Sequence, residues 1–345
     1  LQATFSNYSR VHGGNIPPYL DCFTKSPRAA VIVDELQSEQ GSRFFRKQNR
    51  TMVVEAPPDL AGELSEDFAW VSLDAVLELL HADNTVNMNA RSVLASLWAR
   101  CILHSESVEP RVPSEFGAAV SASAMAPLEE GEHTISDLEF WLDSMRRGID
   151  THAVLVPLRD VRDWEYDGAT ISHRSGGHFS VIGVDVAAPG REVGEWQQPL
   201  LSSAETGMNA LVCQVRDGLL HVLIRAQDEP GTVNGVELAP TVQCTPSDSA
   251  GESSESRLYD LVLRVGKKHI VYDRLLSEEG GRFYHDENRY RIVLIDERVQ
   301  LELDDESRWL TVAQLLEFVR QGGAVNIETR TLVACIWASA VSGER

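Results

Sequence analysis

The stretch that decides the fold is residues 31–54, VIVDELQSEQGSRFFRKQNRTMVV, because a second version, IVYDRLLSEEGGRFYHDENRYRIV, begins at Ile270. A single offset of 239 residues aligns the two stretches without a gap and continues to Trp98 and Trp337. The alignment gives about 21 identities over about 66 positions. A match of that length predicts an internal duplication.

The duplication also predicts where the domains begin and end. Residues 2–4 (QAT) match residues 243–245 (QCT) after a shift of two, so that Leu1 corresponds to Val242. The second copy extends upstream for roughly another 110 residues, to about Thr134. We therefore expect an N-terminally truncated chain. Residues 1–103 would be the C-terminal half of a first module, the Ser-, Pro-, Ala- and Glu-rich residues 104–133 a linker, and 134–345 a complete second module.

Local patterns predict an α+β fold, with a mixed sheet and a few helices in each module. Asp217-Gly218 is typical of a hairpin turn. A capping box at Ser136 and Glu139 predicts a helix that Gly148 ends, and Thr311, Gln314 and Gly322 bound another. Strands are predicted at 152–158, 178–186, 210–215, 219–226, 236–243 and 289–295. Further helices are predicted at 31–40, 72–82, 89–102, 270–279, 311–321 and 328–340.

Composition excludes several classes of function. The formal charge of −21 disfavours nucleic-acid binding, and no apolar run is long enough for a membrane span. None of the four lysines lies in a buried apolar strand, which argues against a Schiff base. The cysteines lack metal-ligand spacing, and Cys101, Cys213 and Cys335 are expected as core thiols. We expect a cytoplasmic protein without structural zinc.

Residues 34–42, DELQSEQGS, partly match the Nudix box, R-E-U-x-E-E-x-G-U. Glu35, Leu36, Glu39 and Gly41 fit, but Ser38 replaces a glutamate, and the second copy has Arg274 in place of Glu35. Since Mg²⁺ needs clustered carboxylates at a diphosphate, we expect no metal chemistry here. A solvated helix face is the simpler interpretation.

Other polar segments are candidate binding sites. The loop HRSGGHFSV (173–181) could bring backbone N–H groups to an anion, or could be a plain turn. WQQPLL (196–201) could be a surface hook or a stacking site, and Gln227 and Glu229 end a buried strand at a turn. Trp164 lies among charges and could stack on a planar base, whereas Trp98 and Trp337 are expected in the core.

The two copies differ most at FSNYSRVHGG (5–14), whose counterpart is PSDSAGESSE (246–255). Tyr8, Arg10 and His12 have no equivalents there, although the flanking strand is retained. We expect these three to be catalytic: Tyr8 or His12 would move protons, and Arg10 would hold diphosphate or enolate charge. The alternative is that this loop contacts a partner specific to the first module.

Taken together, QATFSNYSRVHGG, DELQSEQGSRFFRKQNR, WQQP and EPG…VELAPTVQ in a tandem array resemble the NDP-hexose 2,3-dehydratases of deoxysugar biosynthesis, which supply antibiotic pathways. The resemblance implies two Nudix-like modules per subunit, a homodimer, and dTDP-4-keto-6-deoxyglucose as substrate. This lyase reaction removes the C3 proton and the C2 hydroxyl, and the enol becomes a 3,4-diketo sugar for a downstream 3-ketoreductase. It formally needs no cofactor.

The resemblance also implies two sugar-nucleotide pockets. The productive pocket would use Ser42 and a loop comprising Thr4, Phe5, Ser6, Asn7, Tyr8 and Ser9. The vestigial pocket would use Trp164, Gln243, Cys244, Thr245, Asp248, Gly281, Arg282, Phe283 and Tyr284. Because the first module lacks its strand half, we expect this chain to be inactive alone. A Nudix-like NDP-sugar hydrolase and a non-catalytic dTDP-sugar binding module are the alternatives.

Overall fold

The computed structural model describes residues 16–25, 30–58, 60, 64–103, 114–189, 191, 193–248 and 253–342. They form an α+β fold, as predicted. The strands are β1 Val31–Ser38, β2 Gln48–Val54, β3 Trp164–Tyr166, β4 Ile171–His173, β5 Ser180–Ala187, β6 Glu195–Ser202, β7 Met208–Arg216, β8 Leu219–Asp228, β9 Val236–Pro240, β10 Val242–Cys244, β11 Ile270–Ser277, β12 Glu287–Leu294 and β13 Ser307–Thr311. The α-helices are α1 Asp21–Thr24, α2 Leu73–Leu79, α3 Met88–Leu103, α4 Glu115–Ala124, α5 Ile135–Arg147, α6 Ser254–Arg264, α7 Val312–Gln321 and α8 Ile327–Ser342.

The largest sheet has seven strands. Its main path runs β11-β12-β7-β8-β13, while β10 pairs with β7 and β9 with β8. The β12–β7 pair is parallel and the other pairs are antiparallel. Asp217 and Gly218 both have positive φ (50° and 79°), which fits the predicted tight turn between β7 and β8.

This sheet is covered on both faces. Helix α6 covers one face through Leu258 and Val262. The other face meets α8, which is buried from Ile327 to Val341 and therefore runs through the middle of the core. A helix that is apolar on all sides is typical of such a position.

Two further sheets stand apart from the large one. Strands β3-β4-β5-β6 form a four-stranded antiparallel sheet. Strands β1 and β2 form a two-stranded sheet whose register and irregularity are those of β11 and β12: Val31 faces Val54, as Ile270 faces Val293. We call residues 31–103 the first repeat and residues 270–342 the second repeat.

The repeats meet through equivalent residues. Trp98 and Trp337 stack with ring centroids 5.5 Å apart, and both are buried, as predicted. Arg91 donates from Nη2 to the Ser277 carbonyl at 2.8 Å, and its counterpart Arg330 donates to the Ser38 carbonyl at 2.6 Å. Each guanidinium therefore reaches the end of the other repeat's first strand.

Several predicted elements were wrong. Residues 31–40 and 270–279 were predicted as helices, but form β1 and β11 with their following turns; their β-branched starts favour sheet pairing. Residues 152–158 form no strand, because no described strand pairs with them, and Leu158 is 82% exposed. The capping box of α5 is Thr134 with Asp137, not Ser136 with Glu139.

The predicted linker contains a helix in its described part. Helix α4 buries Phe116 and Val120 and packs against β8, α7 and α8, so that residues 114–124 belong to the core. The small residues Ala and Ser that suggested a linker allow this close packing instead. The domain boundaries themselves stay predictions.

Two expectations on composition can be compared with the structure. Cys213 and Cys335 are buried thiols as predicted, whereas Cys101 is only half-buried. Within the described ranges, every helix is too short or too polar to cross a bilayer.

Candidate functional site

A cavity with a volume of about 360 Å³ lies at the beginning of β7 and β12 and at the end of β8. Its lining comes from both repeats and from the elements between them. The first repeat supplies Gln40, Ser42 and Arg43. The rest of the lining comes from Gly177, His178, Phe179, Ser203, Ala204, Glu205, Gly207, Met208, Asn209, Gln227, Glu229, Gln243, Cys244, Thr245, Asp248, Glu278, Phe283, Asp286, Asn288 and Glu328. A pocket of this size fits a small polar ligand or part of a larger one.

Glu229, at the turn after β8, is 8% exposed and lines the cavity. Burial raises the pKa of its carboxyl group, while hydrogen bonds from the backbone N–H groups of Ser42 and Gly41 and the charge of Arg43 oppose that rise. Gln243 Nε2 also donates to Glu229 Oε1 at 3.1 Å. These donors favour the ionised form of Glu229.

Glu328, in the first turn of α8, is 5% exposed. Its Oε2 has no hydrogen-bond partner among the described residues, and neither does Gln227 Oε1, which lines the same cavity. Burial, followed by the charges of Glu229 and Glu278, raises the pKa of Glu328 well above its usual range. This shift favours the protonated form of Glu328, whose Oε2 is available to a ligand.

Two other carboxyl groups in the cavity are held by protein partners. Glu278 is buried and accepts from Gln40 Nε2 at 2.8 Å and Asn288 Nδ2 at 2.7 Å. Asp286 accepts from Ser203 Oγ at 2.5 Å. Burial raises the pKa of both groups. Their side-chain partners therefore link several segments of the cavity wall.

The cavity also carries aromatic and cationic groups. Arg43 lies over the Phe179 ring, 4.8 Å from its centroid. Trp164 is half-buried and packs against Phe179 at 4.9 Å and His178 at 6.3 Å between ring centroids. Trp164 therefore supports two lining residues. From the loop 173–181, Gly177, His178 and Phe179 reach the cavity, whereas Arg174 pairs with Glu165.

The structure groups the predicted binding residues differently from the expectation. Gln243, Cys244, Thr245, Asp248 and Phe283 line one cavity. Ser42 lines this same cavity rather than a separate one, because the turn after β1 crosses to the other half. Arg282 instead pairs with Glu39 at 2.8 Å. Gly281 and Tyr284 adjoin Phe283 in the chain but are not part of the lining.

The other predicted site residues cannot be placed. Thr4, Phe5, Ser6, Asn7, Tyr8, Ser9, Arg10 and His12 lie outside the described residues. Their assignment as catalytic or binding groups stays a prediction.

The Nudix-like segment is not a solvated helix face. Gln37, Ser38, Glu39 and Gln40 are buried at the end of β1 and in the turn after it. Within the described residues, no group of three or more His, Cys, Asp or Glu side chains is placed to hold a metal ion. WQQP lies in β6, where Gln198 Nε2 donates to the Gly281 carbonyl at 2.9 Å.

Sequence reasoning found Gln227 and Glu229 but missed Glu328 and Arg43. Glu328 could have been noticed, because it is an acid in a helix that is otherwise apolar for most of its length, and the first repeat has Asn89 in its place. A carboxyl group buried among apolar residues is a candidate functional group.

The arrangement is suited to proton transfer. Hydrogen-bond donors around Glu229 favour its carboxylate, whereas burial and the nearby carboxyl groups raise the pKa of Glu328 and favour its protonated form. Two carboxyl groups whose surroundings separate their protonation states can act as a base and an acid in one reaction.

Comparison with known proteins gives the family of the chain. The family model described as NDP-hexose 2,3-dehydratase matches residues 1–97 and 135–336. The chain is similar to proteins named dTDP-4-dehydro-6-deoxy-alpha-D-glucopyranose 2,3-dehydratase. That of Saccharopolyspora spinosa is 39% identical over 98% of this chain and 70% of the relative. That of Streptomyces violaceoruber is 39% identical over 97% and 72%, and that of Amycolatopsis orientalis 38% over 99% and 66%. The chain belongs to the NDP-hexose 2,3-dehydratase family.

Proposed function

We propose that the protein is a hydro-lyase that dehydrates dTDP-4-keto-6-deoxyglucose across C2 and C3, and that Glu328 and Glu229 are its acid and base. The observation that carries the proposal is the buried Oε2 of Glu328, which has no hydrogen-bond partner in the described part of the chain and lies in a cavity that Glu229 also lines. The names of the three relatives give the substrate.

The reaction uses the two groups in sequence. The 4-keto group acidifies the C3 proton, which the Glu229 carboxylate removes. The electron pair forms the C2–C3 double bond, and the C2 hydroxyl leaves as water with the proton of Glu328. The resulting enol tautomerises to a 3,4-diketo-2,6-dideoxy sugar nucleotide. Arg43 supplies positive charge for the diphosphate or the enolate oxygen.

The residues of the cavity suit a ligand that is both polar and charged. Gln227 Oε1 can accept a hydrogen bond from a sugar hydroxyl, since its oxygen is buried and has no partner in the described part of the chain. His178 and Phe179 provide ring faces for a base or sugar. A Nudix-like hydrolase would need a carboxylate cluster, which the box segments have partly lost.

The test is turnover of dTDP-4-keto-6-deoxyglucose by Glu328→Gln and Glu229→Gln. We expect each to lower kcat by at least about 100-fold, because each removes a proton-transfer group. Binding of dTDP by calorimetry should stay within a few-fold of wild type. Normal turnover by both variants contradicts the acid–base assignment. Release of dTMP instead of water points to a hydrolase, and binding without any reaction to a non-catalytic module.

We further propose that the two repeats belong to duplicated Nudix-like modules, with boundaries after residues 103 and 133. The shared register of β1–β2 and β11–β12 and the reciprocal Arg91 and Arg330 contacts support the duplication. Family resemblance supports a cytoplasmic homodimer whose product passes to a 3-ketoreductase. Sedimentation of the purified protein tests the dimer.

A further inference from the structure

The turn of residues 40–46 in the first repeat packs closely against the turn of residues 229–232 and is hydrogen-bonded to it. The Gly231 N–H donates to the Gly41 carbonyl at 2.9 Å, and the Arg46 N–H donates to the Gly231 carbonyl at 2.6 Å. A Cβ on Gly231 would lie 2.1 Å from the Phe44 carbonyl oxygen, and a Cβ on Gly41 would lie 2.5 Å from Thr232 Cγ2. Both glycines are therefore needed for the close approach of the two turns.

Glu229 lies inside this contact. A Cβ on Gly41 would come within 2.8 Å of Glu229 Oε2. The backbone N–H groups of Ser42 and Gly41 hydrogen-bond to the Glu229 carboxylate, and Gln243 holds Oε1 from the other side. The carboxylate thus has donors on two sides, and those from the turn come from the first repeat, to which Glu229 does not belong.

The equivalent turn of the second repeat makes no such contact. Gly280 is the counterpart of Gly41, yet a Cβ on Gly280 would meet no described atom within 4 Å. Neither glycine has a positive φ, so alanine suits the backbone conformation at both positions. The two glycines differ only in what surrounds them.

We propose that Gly41 is a positioning residue for the catalytic carboxylate, because its turn delivers two backbone amides from the first repeat to Glu229. The inference rests on the proposed function for its role in turnover, but the contact itself can be tested without turnover. Arg43, Glu237 and Glu328 are the charged or titratable groups whose electrostatic effect couples to Glu229. None of these is altered by the substitution below.

The experiment compares Gly41→Ala with the matched control Gly280→Ala. The carboxyl carbons of glutamate are labelled with ¹³C, and the Glu229 resonance is assigned with Glu229→Gln and titrated by NMR. In Gly41→Ala the pKa of Glu229 should rise by about one unit or more, because the amide donors move away. The acid limb of the kcat profile should move to higher pH by the same amount, with kcat at pH 7 down at least about tenfold. Gly280→Ala should match wild type in all three measurements.

If Gly41→Ala does not fold, the double variant Gly41→Ala/Thr232→Ser removes the Cγ2 clash, keeps the contact with Glu229 and is measured instead. An unchanged Glu229 titration in the folded variant overturns the proposal, and so does an equal shift in Gly280→Ala. If the Glu229 titration shifts in Gly41→Ala but the wild-type protein does not dehydrate the substrate, the positioning contact stands and the proposed function is refuted.

Discussion

The first and second repeats have the same strand pairing and the same ion pair across it, but the elements that pack around them differ. Asp34 and Arg50 form a bidentate pair across β1 and β2, with both distances 2.6 Å, and Asp273 and Arg289 form the same pair at 2.7 Å across β11 and β12. In the second repeat, however, β12 continues into the large sheet through β7. In the first repeat, the outer edge of β2 has no partner strand among the described residues.

The comparison separates the contacts that both repeats make from those that only one repeat makes. The strand pairing, the Arg91 and Arg330 contacts and the tryptophan stack are present in both repeats. The acidic group at position 328 is present only in the second repeat, and the tight packing around the turn glycine, Gly41, only in the first. We infer that the pocket uses residues that the shared strand pairing and arginine contacts do not require.

The largest expected effect tests whether the catalytic groups lie in the described cavity or in the loop of residues 5–14. Glu328→Gln should lower kcat by at least about 100-fold and by more than Tyr8→Phe or His12→Ala, the two substitutions that test the catalytic roles predicted for the loop of residues 5–14. The measurement is steady-state dehydration of the sugar nucleotide. The reverse order would move the acid–base groups to the loop of residues 5–14 and make the described cavity the vestigial one.

The next comparison concerns the two buried arginines. Arg330→Met should lower the free energy of unfolding by about 3 to 5 kcal/mol, because it leaves the buried Glu237 without its cation. Arg91→Met loses the same two kinds of carbonyl hydrogen bond and removes a charge near the buried Glu278, but Glu278 keeps two side-chain donors, so a smaller loss is expected. Urea unfolding of both variants gives the difference. Equal losses of unfolding free energy in the two variants would show that the lost carbonyl hydrogen bonds account for the whole effect.

A third prediction uses the pH dependence of stability. Burial raises the pKa of Glu237 from 4.5 to about 7. The folded protein then binds a proton more tightly than the unfolded chain, so this group's contribution falls as the pH rises from 4.5 to 7. Glu237→Gln should be close to wild type at pH 4 and about 2 to 3 kcal/mol more stable at pH 8. Urea unfolding across this range measures it; a constant difference contradicts the buried titration.

The smallest expected effect concerns the shared ion pair. Asp273 also holds Arg291, which is buried, with Nη2 2.8 Å from Oδ2, whereas the Asp34–Arg50 pair is exposed. Asp273→Asn should cost about 1 to 3 kcal/mol, and Asp34→Asn less than about 1 kcal/mol. Thermal unfolding in low and high salt separates them. A similar loss from both variants would mean that the surroundings of the pair are unimportant.

The sequence alone determined the repeat, the α+β class and most elements of the second half. Strands β7 and β8 and helices α7 and α8 follow from hydrophobic periodicity and from turn and cap residues, which act over a few positions. The same reasoning predicted helices at 31–40 and 270–279, because their charged residues also fit a helical spacing. In the structure, antiparallel pairing with β2 and β12 makes these segments the strands β1 and β11.

Only the tertiary structure decided the site. Ser42 and Gln243 are 201 residues apart, and no local pattern shows that they line one cavity. The protonation of Glu328 depends on burial and on the charges of Glu229 and Glu278, which come from other elements. Desolvation and electrostatic interaction depend on distances in space, so they become fixed only when the repeats pack together.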